Sequence, residues 1–222
     1  MQMHPVLLYP GNERPRIVEC RGKCNTVYCS AGCEDDAWQK YHALLCTGTP
    51  PPPGEGSSAG AGACADGPAA AAGGSPEQAT SKGAKSIHAL EAFLEMADVQ
   101  NDHLRIAAKV VSCTVAEARR RERGGEPTAA ALAGAWAPWR QGVKAMWWDT
   151  AMKEDGTADK LSHEDFQAEV RRATVQSLEL LKTALPAAAA DYPGLFSLEV
   201  WSSILGMLDL NCKCPDVSLL LL

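Results

Sequence analysis

Residues 17–46 carry the most specific signal in the chain, and they read IVECRGKCNTVYCSAGCEDDAWQKYHALLC. This stretch holds five of the chain's nine cysteines and one of its five histidines. They form three pairs, each with three residues between its members: Cys20/Cys24, Cys29/Cys33 and His42/Cys46. A structural zinc ion takes four such ligands in a tetrahedron, so two ions would need four pairs. The spacing therefore predicts a zinc-binding unit that lacks one pair of ligands for a second ion.

The composition limits the cellular compartments and the classes of partner that can be expected for the protein. The 222 residues are enough for one or two domains, and the net charge of -6 gives no general attraction to phosphate backbones. No apolar run approaches the ~20 residues needed to span a bilayer, and the opening stretch VLLY is too short for a signal peptide. We therefore expect an intracellular protein of cytoplasm or nucleus, with no membrane segment. Clustered cysteines in a reducing compartment favour metal binding over disulfides.

Composition also divides the chain into segments. Residues 1–16 are an N-terminal extension, and residues 17–46 are the zinc-binding unit. Residues 47–85 are rich in Pro, Gly, Ala and Ser and have almost nothing to bury, which predicts a disordered, flexible linker. Residues 86–222 carry helical periodicity without strand-like alternation, which predicts a helical domain. The fold class predicted from this pattern is mainly α.

Several helix boundaries follow from local signals. Leu104, Ala107 and Val111 share one face of a helix that follows a cap at residue 101 or 102, and the pair Gly124–Gly125 ends it. Ser162 is placed to cap the helix that begins LSHEDF, and Pro186 stops it. Pro138 predicts an interruption in the tryptophan-rich segment. Other apolar positions predicted for buried helix faces are Ile87, Leu90, Leu94, Ala97, Val115, Leu198, Trp201, Leu205 and Leu208.

The residues between the ligands resemble a MYND-type zinc finger. A Tyr-Cys-Ser turn, a further Cys, an acidic helix start, a Trp and a closing His-x3-Cys occur in that family's order. The seven positions that match are Tyr28, Cys29, Ser30, Cys33, Trp38, His42 and Cys46. Cys20 and Cys24 fit the preceding pair, with three intervening residues where two are more usual.

This resemblance implies two zinc sites that share their ligand pairs in an interleaved way. One site would be complete, with Cys20, Cys24, His42 and Cys46 as its ligands. Cys29 and Cys33 would belong to the second site, whose N-terminal pair is missing because only His4 precedes Cys20 among possible ligands. We expect that the chain starts too late to include that pair. Alternatively, Cys64 or the distant pair Cys212/Cys214 completes the second site.

The helical region is similar, less specifically, to the insert that follows the finger in SET-and-MYND lysine methyltransferases. The stretches DHLRIAAKVVSCTVAEA and LFSLEVWSSILGMLDLNCKC carry this likeness. In that family the residues that bind S-adenosylmethionine and the catalytic residues lie before the finger and after this insert. We therefore expect no catalytic or cofactor-binding residues here, and a helical domain truncated at its C-terminus. S-adenosylmethionine would be a cofactor only if the two SET halves exist outside this chain.

Two functional hypotheses result. The first is a zinc-dependent protein-interaction module whose partner is a protein, and the resemblance implies that the module binds a proline-containing peptide of that partner. The second is a fragment of a protein-lysine methyltransferase whose active site lies outside the chain. Isolated histidines (His88, His103 and His163) and the run RRRER at 119–123 are interpreted as solvated or helix-capping residues, so no strong case for nucleic acid arises.

Overall fold

Two short strands and a broken helix form the N-terminal part of the computed structural model, which describes residues 17–48, 76–142, 145–151 and 162–211. Within 76–84 only the backbone is described. The finger segment, as we call residues 17–48, contains β1 (Val18–Glu19), β2 (Val27–Tyr28), α1 (Ala31–Ala37), a π-helical turn (Trp38–His42) and α2 (Ala43–Leu45). The strands are antiparallel, with Val18 opposite Tyr28 and Glu19 opposite Val27. The helical stretch after the hairpin thus consists of three consecutive pieces.

The helical segment comprises the described residues from 76 to 211. Its helices are α3 (Pro76–Gln100), α4 (His103–Arg123), α5 (Thr128–Arg140), α6 (Trp147–Thr150), α7 (His163–Ala184), α8 (Pro186–Asp191) and α9 (Leu198–Asn211). The mainly helical class predicted from the sequence is therefore confirmed for the described residues, with the Cys/His cluster at their N-terminal end. No helix among them is long and apolar enough to cross a membrane.

One hydrophobic core joins these helices. Helix α4 packs against α5 and α9, while α3 packs against α7. Fully buried side chains of the core include Phe93, Leu104, Val111, Val115, Leu181, Trp201, Ile204 and Leu205. Burying each large apolar side chain stabilises the fold by about 1.5–3 kcal/mol, so this core is the main source of stability for the helical segment.

Most helix ends lie where the local sequence signals predict them. The Ser162 hydroxyl accepts a hydrogen bond from the Asp165 backbone N–H at 3.0 Å and caps α7. The Asn101 side chain accepts one from the His103 N–H at 2.8 Å, and α4 ends directly before Gly124. Pro186 follows the end of α7 and also begins α8, because proline is compatible with a first helical turn.

Three expectations differ from the structure. Helix α5 continues past Pro138 to Arg140, so the proline lies near a helix end and does not divide the segment. Ile87 is 36% exposed and lies outside the core. Helix α3 begins at Pro76, inside the range predicted as a linker, where PEQATSKGAK contains several good helix formers. The rest of that linker, residues 49–75, and the extension 1–16 lie outside the described residues.

Candidate metal centre

A tight turn between the two strands positions the first pair of ligands. The Cys20 N–H donates to the Thr26 carbonyl at 2.9 Å, and the Lys23 N–H donates to the Cys20 carbonyl at 2.8 Å. Lys23 and Asn25 adopt left-handed backbone conformations, with φ of 56° and 64°. Such conformations curl the chain locally, and here the curl turns the Cys20 and Cys24 side chains toward the same point.

The helical pieces supply the second pair of ligands. His42 is the last residue of the π-helical turn, and Cys46 directly follows α2. A π-helical turn inserts extra backbone into a helix and so rotates the side chains that follow, and such turns are frequent at functional sites. Here it accompanies a buried His42 that faces the turn between the strands.

Four ligand atoms converge between these elements. The group formed by Cys20, Cys24, His42 and Cys46, which we call the four-ligand group, has all its ligand atoms within 4.8 Å of one another. His42 Nε2 lies 3.2 Å from the Sγ atoms of both Cys20 and Cys24. The Sγ atoms of Cys20 and Cys46 are 3.8 Å apart.

These separations suit a tetrahedral zinc ion. Zn–S bonds of about 2.3 Å and Zn–N bonds of about 2.0 Å place two sulfurs about 3.8 Å apart, and a sulfur and a nitrogen about 3.5 Å apart. Three cysteines and one histidine are also a usual ligand set for structural zinc. In both spacing and chemistry, the residues present fit this ion.

Gly22 closes one side of the four-ligand group. Its N–H points at Cys20 Sγ from 3.3 Å, which stabilises negative charge on that sulfur. A Cβ atom at this position would lie 2.5 Å from Cys46 Sγ. The backbone therefore approaches the ligands as closely as only glycine allows.

An ion pair between a buried carboxylate and a partly exposed arginine ties the turn to α1. Glu34 is only 5% exposed and accepts hydrogen bonds from Arg21 Nε at 2.8 and 2.9 Å and from the Arg21 backbone N–H at 3.2 Å. The Arg21 guanidinium also contacts Asp35 and lies over the Trp38 ring, 5.3 Å from its centroid. These bonds from Arg21 lower the pKa of Glu34 and keep it ionised. The pair thereby holds the residues that flank Cys20 against the helix that leads to His42.

Burial sets the protonation states of two residues in the four-ligand group. Burial lowers the pKa of His42, so the imidazole is neutral at pH 7 and its nitrogen is free to coordinate. Burial, with the neighbouring thiols, raises the pKa of Cys46 to about 12. A thiol with that pKa stays protonated unless a metal ion offsets the thiolate charge.

Cys29 and Cys33, the thiol pair, lie together but apart from the four-ligand group. Their Sγ atoms are 3.2 Å apart, and both residues are exposed at the start of α1, which the Ser30 side chain caps. The described part of the chain brings no third Cys, His, Asp or Glu ligand to them. His4, Cys64, Cys212 and Cys214 lie outside the described residues, so the candidates for completing this site are not placed.

The finger segment rests on the helical segment through its second ligand pair. The π-helical turn and α2 pack against α4, and Leu44 and Leu45 contact the hydrophobic core. Lys109 Nζ of α4 lies 5.5 Å from the centre of the Tyr41 ring. The four-ligand group therefore lies between the turn that joins β1 to β2 and helix α4 of the helical segment.

Sequence reasoning missed two of these supporting features. Neither Gly22 nor the Arg21–Glu34 pair was singled out, because the roles of both depend on contacts with residues far along the chain. The signal available was weak: a glycine and an arginine directly after a candidate ligand, in Cys-Arg-Gly. Such residues commonly complete metal sites by bonding to the ligands or orienting them.

None of the other candidate histidines belongs to a group of metal ligands among the described residues. His88 and His163 are exposed, whereas His103 begins α4 half-buried, and its Nδ1 is buried without a hydrogen-bond partner in the described part of the chain. Three arginines of the run at 119–123 are paired with carboxylates: Arg119 with Asp191, Arg120 with Glu117, and Arg121 with Glu117 and Glu126. Their positive charge is largely neutralised within the molecule.

Comparison with known proteins gives one informative similarity. The chain is 29% identical over 206 residues to histone-lysine N-methyltransferase ATXR2 of Arabidopsis thaliana, which covers 89% of this chain and 36% of that protein. The chain therefore spans little more than a third of this relative's length. No protein-family model matches the chain, and no solved structure matches it. The chain is thus similar to part of a lysine methyltransferase and carries a Cys/His cluster that fits zinc.

Proposed function

We propose that the finger segment is a MYND-type zinc finger that serves as a protein-interaction module attached to the helical segment. The observation that carries this proposal is the four-ligand group, whose separations suit a tetrahedral zinc ion. Four protein ligands form a closed set without an open position for substrate, which is typical of structural and not of catalytic zinc. The ion would supply folding free energy to a segment with little core of its own.

The hairpin of the finger offers a surface for a protein partner. Ile17 and Val27 are 67% and 57% exposed, although both are large apolar residues. A two-stranded hairpin also leaves strand edges on which an extended peptide can add a further strand. An extended proline-containing segment is the kind of partner that we propose for this surface.

Metal stoichiometry tests the zinc part of the proposal. Native mass spectrometry of the purified chain should find zinc that Cys20→Ser removes. If the thiol pair stays incomplete, one zinc binds per chain and Cys29→Ser leaves it in place. Two zincs, one of them lost with Cys29→Ser, would mean that the thiol pair is completed within the chain. A chain that holds no zinc after reconstitution under reducing conditions would overturn the proposal.

Peptide binding tests the interaction part. A fluorescein-labelled proline-rich peptide should bind the zinc-loaded chain in a fluorescence anisotropy titration, and a peptide with alanine at each proline should bind more weakly. The substitution Val27→Asp should weaken binding while zinc content stays unchanged. Equal binding of the two peptides would contradict recognition of proline.

A second candidate function is favoured by the similarity to ATXR2. In this candidate the chain is the finger and helical insert of a SET-and-MYND protein-lysine methyltransferase, and a nuclear location would suit it. Residues outside the chain would bind S-adenosylmethionine and transfer the methyl group. The chain alone should then transfer no labelled methyl group from S-adenosylmethionine to histones, whereas the product of the whole transcript should. Methyl transfer by the chain alone would show that this placement of the active site is wrong.

A further inference from the structure

A cavity of about 320 Å³ lies where the hairpin, the π-helical turn and α4 meet. It adjoins the four-ligand group, since Cys24 and His42 form part of its wall. On the opposite side the wall is formed by α3 and α4 of the helical segment. The cavity therefore exists only while the finger is folded against the helices.

Apart from the two metal ligands, the charged residues that line the cavity are both cations. Arg105 and Lys109 lie one helical turn apart on the same face of α4, and none of the residues that line the cavity is an Asp or Glu. Arg105 is paired with Asp98, its Nε 2.8 Å from the carboxylate. Lys109 has no ion-pair partner in the described part of the chain and lies above the Tyr41 ring. One positive charge beside the cavity is thus left without a counterion from the described residues.

One of the lining residues carries a buried hydroxyl. Tyr28 lines the cavity, and its hydroxyl is buried without a hydrogen-bond partner among the described residues. Buried hydroxyls are nearly always paired, so one that is unpaired beside a cavity suggests a group that enters from outside. A phenol and an ammonium group on the wall of one cavity can together recognise an oxygen anion.

The remaining wall is apolar. The Tyr41 ring, Leu45, Leu94 and Ala108 form this part of the cavity. A volume of this size accommodates one or two side chains, at the lower end of the range found for ligand sites. A cavity with an ammonium group, a hydroxyl and an apolar wall favours a ligand that carries a carboxylate next to an apolar group.

We propose that this cavity binds a protein segment in which a Glu or Asp stands next to a leucine-sized side chain. The carboxylate would accept hydrogen bonds from Lys109 Nζ and the Tyr28 hydroxyl, and the apolar side chain would lie against Tyr41 and Leu94. This inference rests on the proposed function, because it names a partner chemistry for the interaction module. Nucleic acid fits less well, since two cations on a chain of net charge -6 offer few phosphate contacts.

The test uses the zinc-loaded chain and two fluorescein-labelled peptides. One peptide contains Leu-Glu-Asp-Leu between Gly-Ser flanks, and its partner contains Leu-Gln-Asn-Leu. Anisotropy titrations at low salt should show the acidic peptide binding about tenfold or more tightly than the amide peptide, because charge-assisted hydrogen bonds are the stronger ones. Lys109→Met should weaken binding of the acidic peptide about tenfold, and Tyr28→Phe about fivefold.

Arg123→Met provides the matched control. Arg123 is an exposed cation on the same helix but away from this cavity, so its removal should change the affinity by less than twofold. Zinc content measured on every variant separates the proposed interaction module from the proposed carboxylate site. A variant that loses zinc has a damaged finger, and its weaker binding says nothing about the cavity. A zinc-loaded chain that binds neither peptide, or binds both equally, would overturn the carboxylate site while leaving the module in place. Displacement of the acidic peptide by a single-stranded oligonucleotide at lower concentration than by unlabelled peptide would also overturn it, in favour of nucleic acid.

Discussion

Gly22 and Cys46 are in contact across the metal centre, so close that a Cβ atom on residue 22 would lie 2.5 Å from the Cys46 sulfur. Real Cβ atoms do not approach other heavy atoms at that distance, and both partners here belong to a confined site. One of the two must move if the glycine is replaced. The identity of residue 22 is thus tied to the position of a ligand far along the chain.

The substitution Gly22→Ala should therefore weaken zinc binding by about 10–100-fold, the range expected when a residue supporting metal ligands is lost. Competition with a chromophoric chelator measures this affinity. Gly32→Ala is the matched control, because a Cβ there would meet only the Ser30 hydroxyl at 3.9 Å on an exposed helix. Unchanged zinc affinity in Gly22→Ala would contradict the close approach described here.

Removing the charge of Glu34 tests the link between the turn and α1. Glu34→Gln leaves the Arg21 guanidinium without its buried carboxylate, and we expect a loss of about 1–2 kcal/mol in the free energy of unfolding. This value is lower than the one expected for a fully buried pair, because Arg21 is partly exposed and solvent screens its charge. Urea denaturation of the zinc-loaded chain measures the change.

The control for this experiment is Asp36→Asn, which breaks the pair between Asp36 and Lys40 on the exposed side of the same helical stretch. No measurable change is expected there, since exposed pairs contribute little. The contribution of Glu34 to the free energy of unfolding changes with pH in a definite direction. Because the pKa of Glu34 is lowered in the folded state, its contribution is present above the ordinary Glu pKa and is lost as the pH falls through the folded value. Equal destabilisation by both substitutions would argue against a special role for Glu34.

Chelation of the metal should affect the two segments differently. The finger has few buried apolar residues, whereas the core of the helical segment contains Phe93, Trp201 and many aliphatic side chains. Excess EDTA should therefore unfold residues 17–48, so that their well-dispersed native amide signals in an ¹⁵N–¹H spectrum are replaced by signals in the narrow range typical of unfolded chains. Most of the circular dichroism at 222 nm should remain. Loss of nearly all helical signal on chelation would mean that the helices depend on the metal.

The fold class could be predicted because its signals are local. The spacing within each Cys/His pair, the Ser162 cap and the helical periodicity of α4 all depend on residues within a few positions of one another. Helix α5 shows where such signals fail: Pro138 suggested an interruption, yet the helix ends only at Arg140, two residues later. A proline near a helix end costs less than one in the middle, and the position of that end is not encoded locally.

Contacts between distant residues could not be predicted in this way. Which ligand pairs come together followed from a family resemblance and not from spacing. The role of Gly22 depends on its approach to Cys46, and that of Glu34 on its approach to Arg21. The carboxylate site that we propose depends further on how the finger rests on α4, because Tyr28 and Lys109 line the same cavity only in that arrangement. Periodicity places Lys109 on a helix but does not say what that side chain faces.

One buried hydrogen bond inside the helical segment gives a final prediction. The Trp201 indole N–H of α9 donates to the Ser177 hydroxyl of α7 at 3.0 Å, and both residues are buried. Ser177→Ala leaves that N–H unpaired and should reduce the free energy of unfolding by about 1–3 kcal/mol. Thr183→Ala on the same helix is the control: its hydroxyl is exposed and bonds only to the Glu179 carbonyl, so stability should be unchanged or slightly higher. Urea denaturation with EDTA present isolates the helical segment from the metal site, and equal stability of the two variants would contradict a contribution from the Trp201–Ser177 bond.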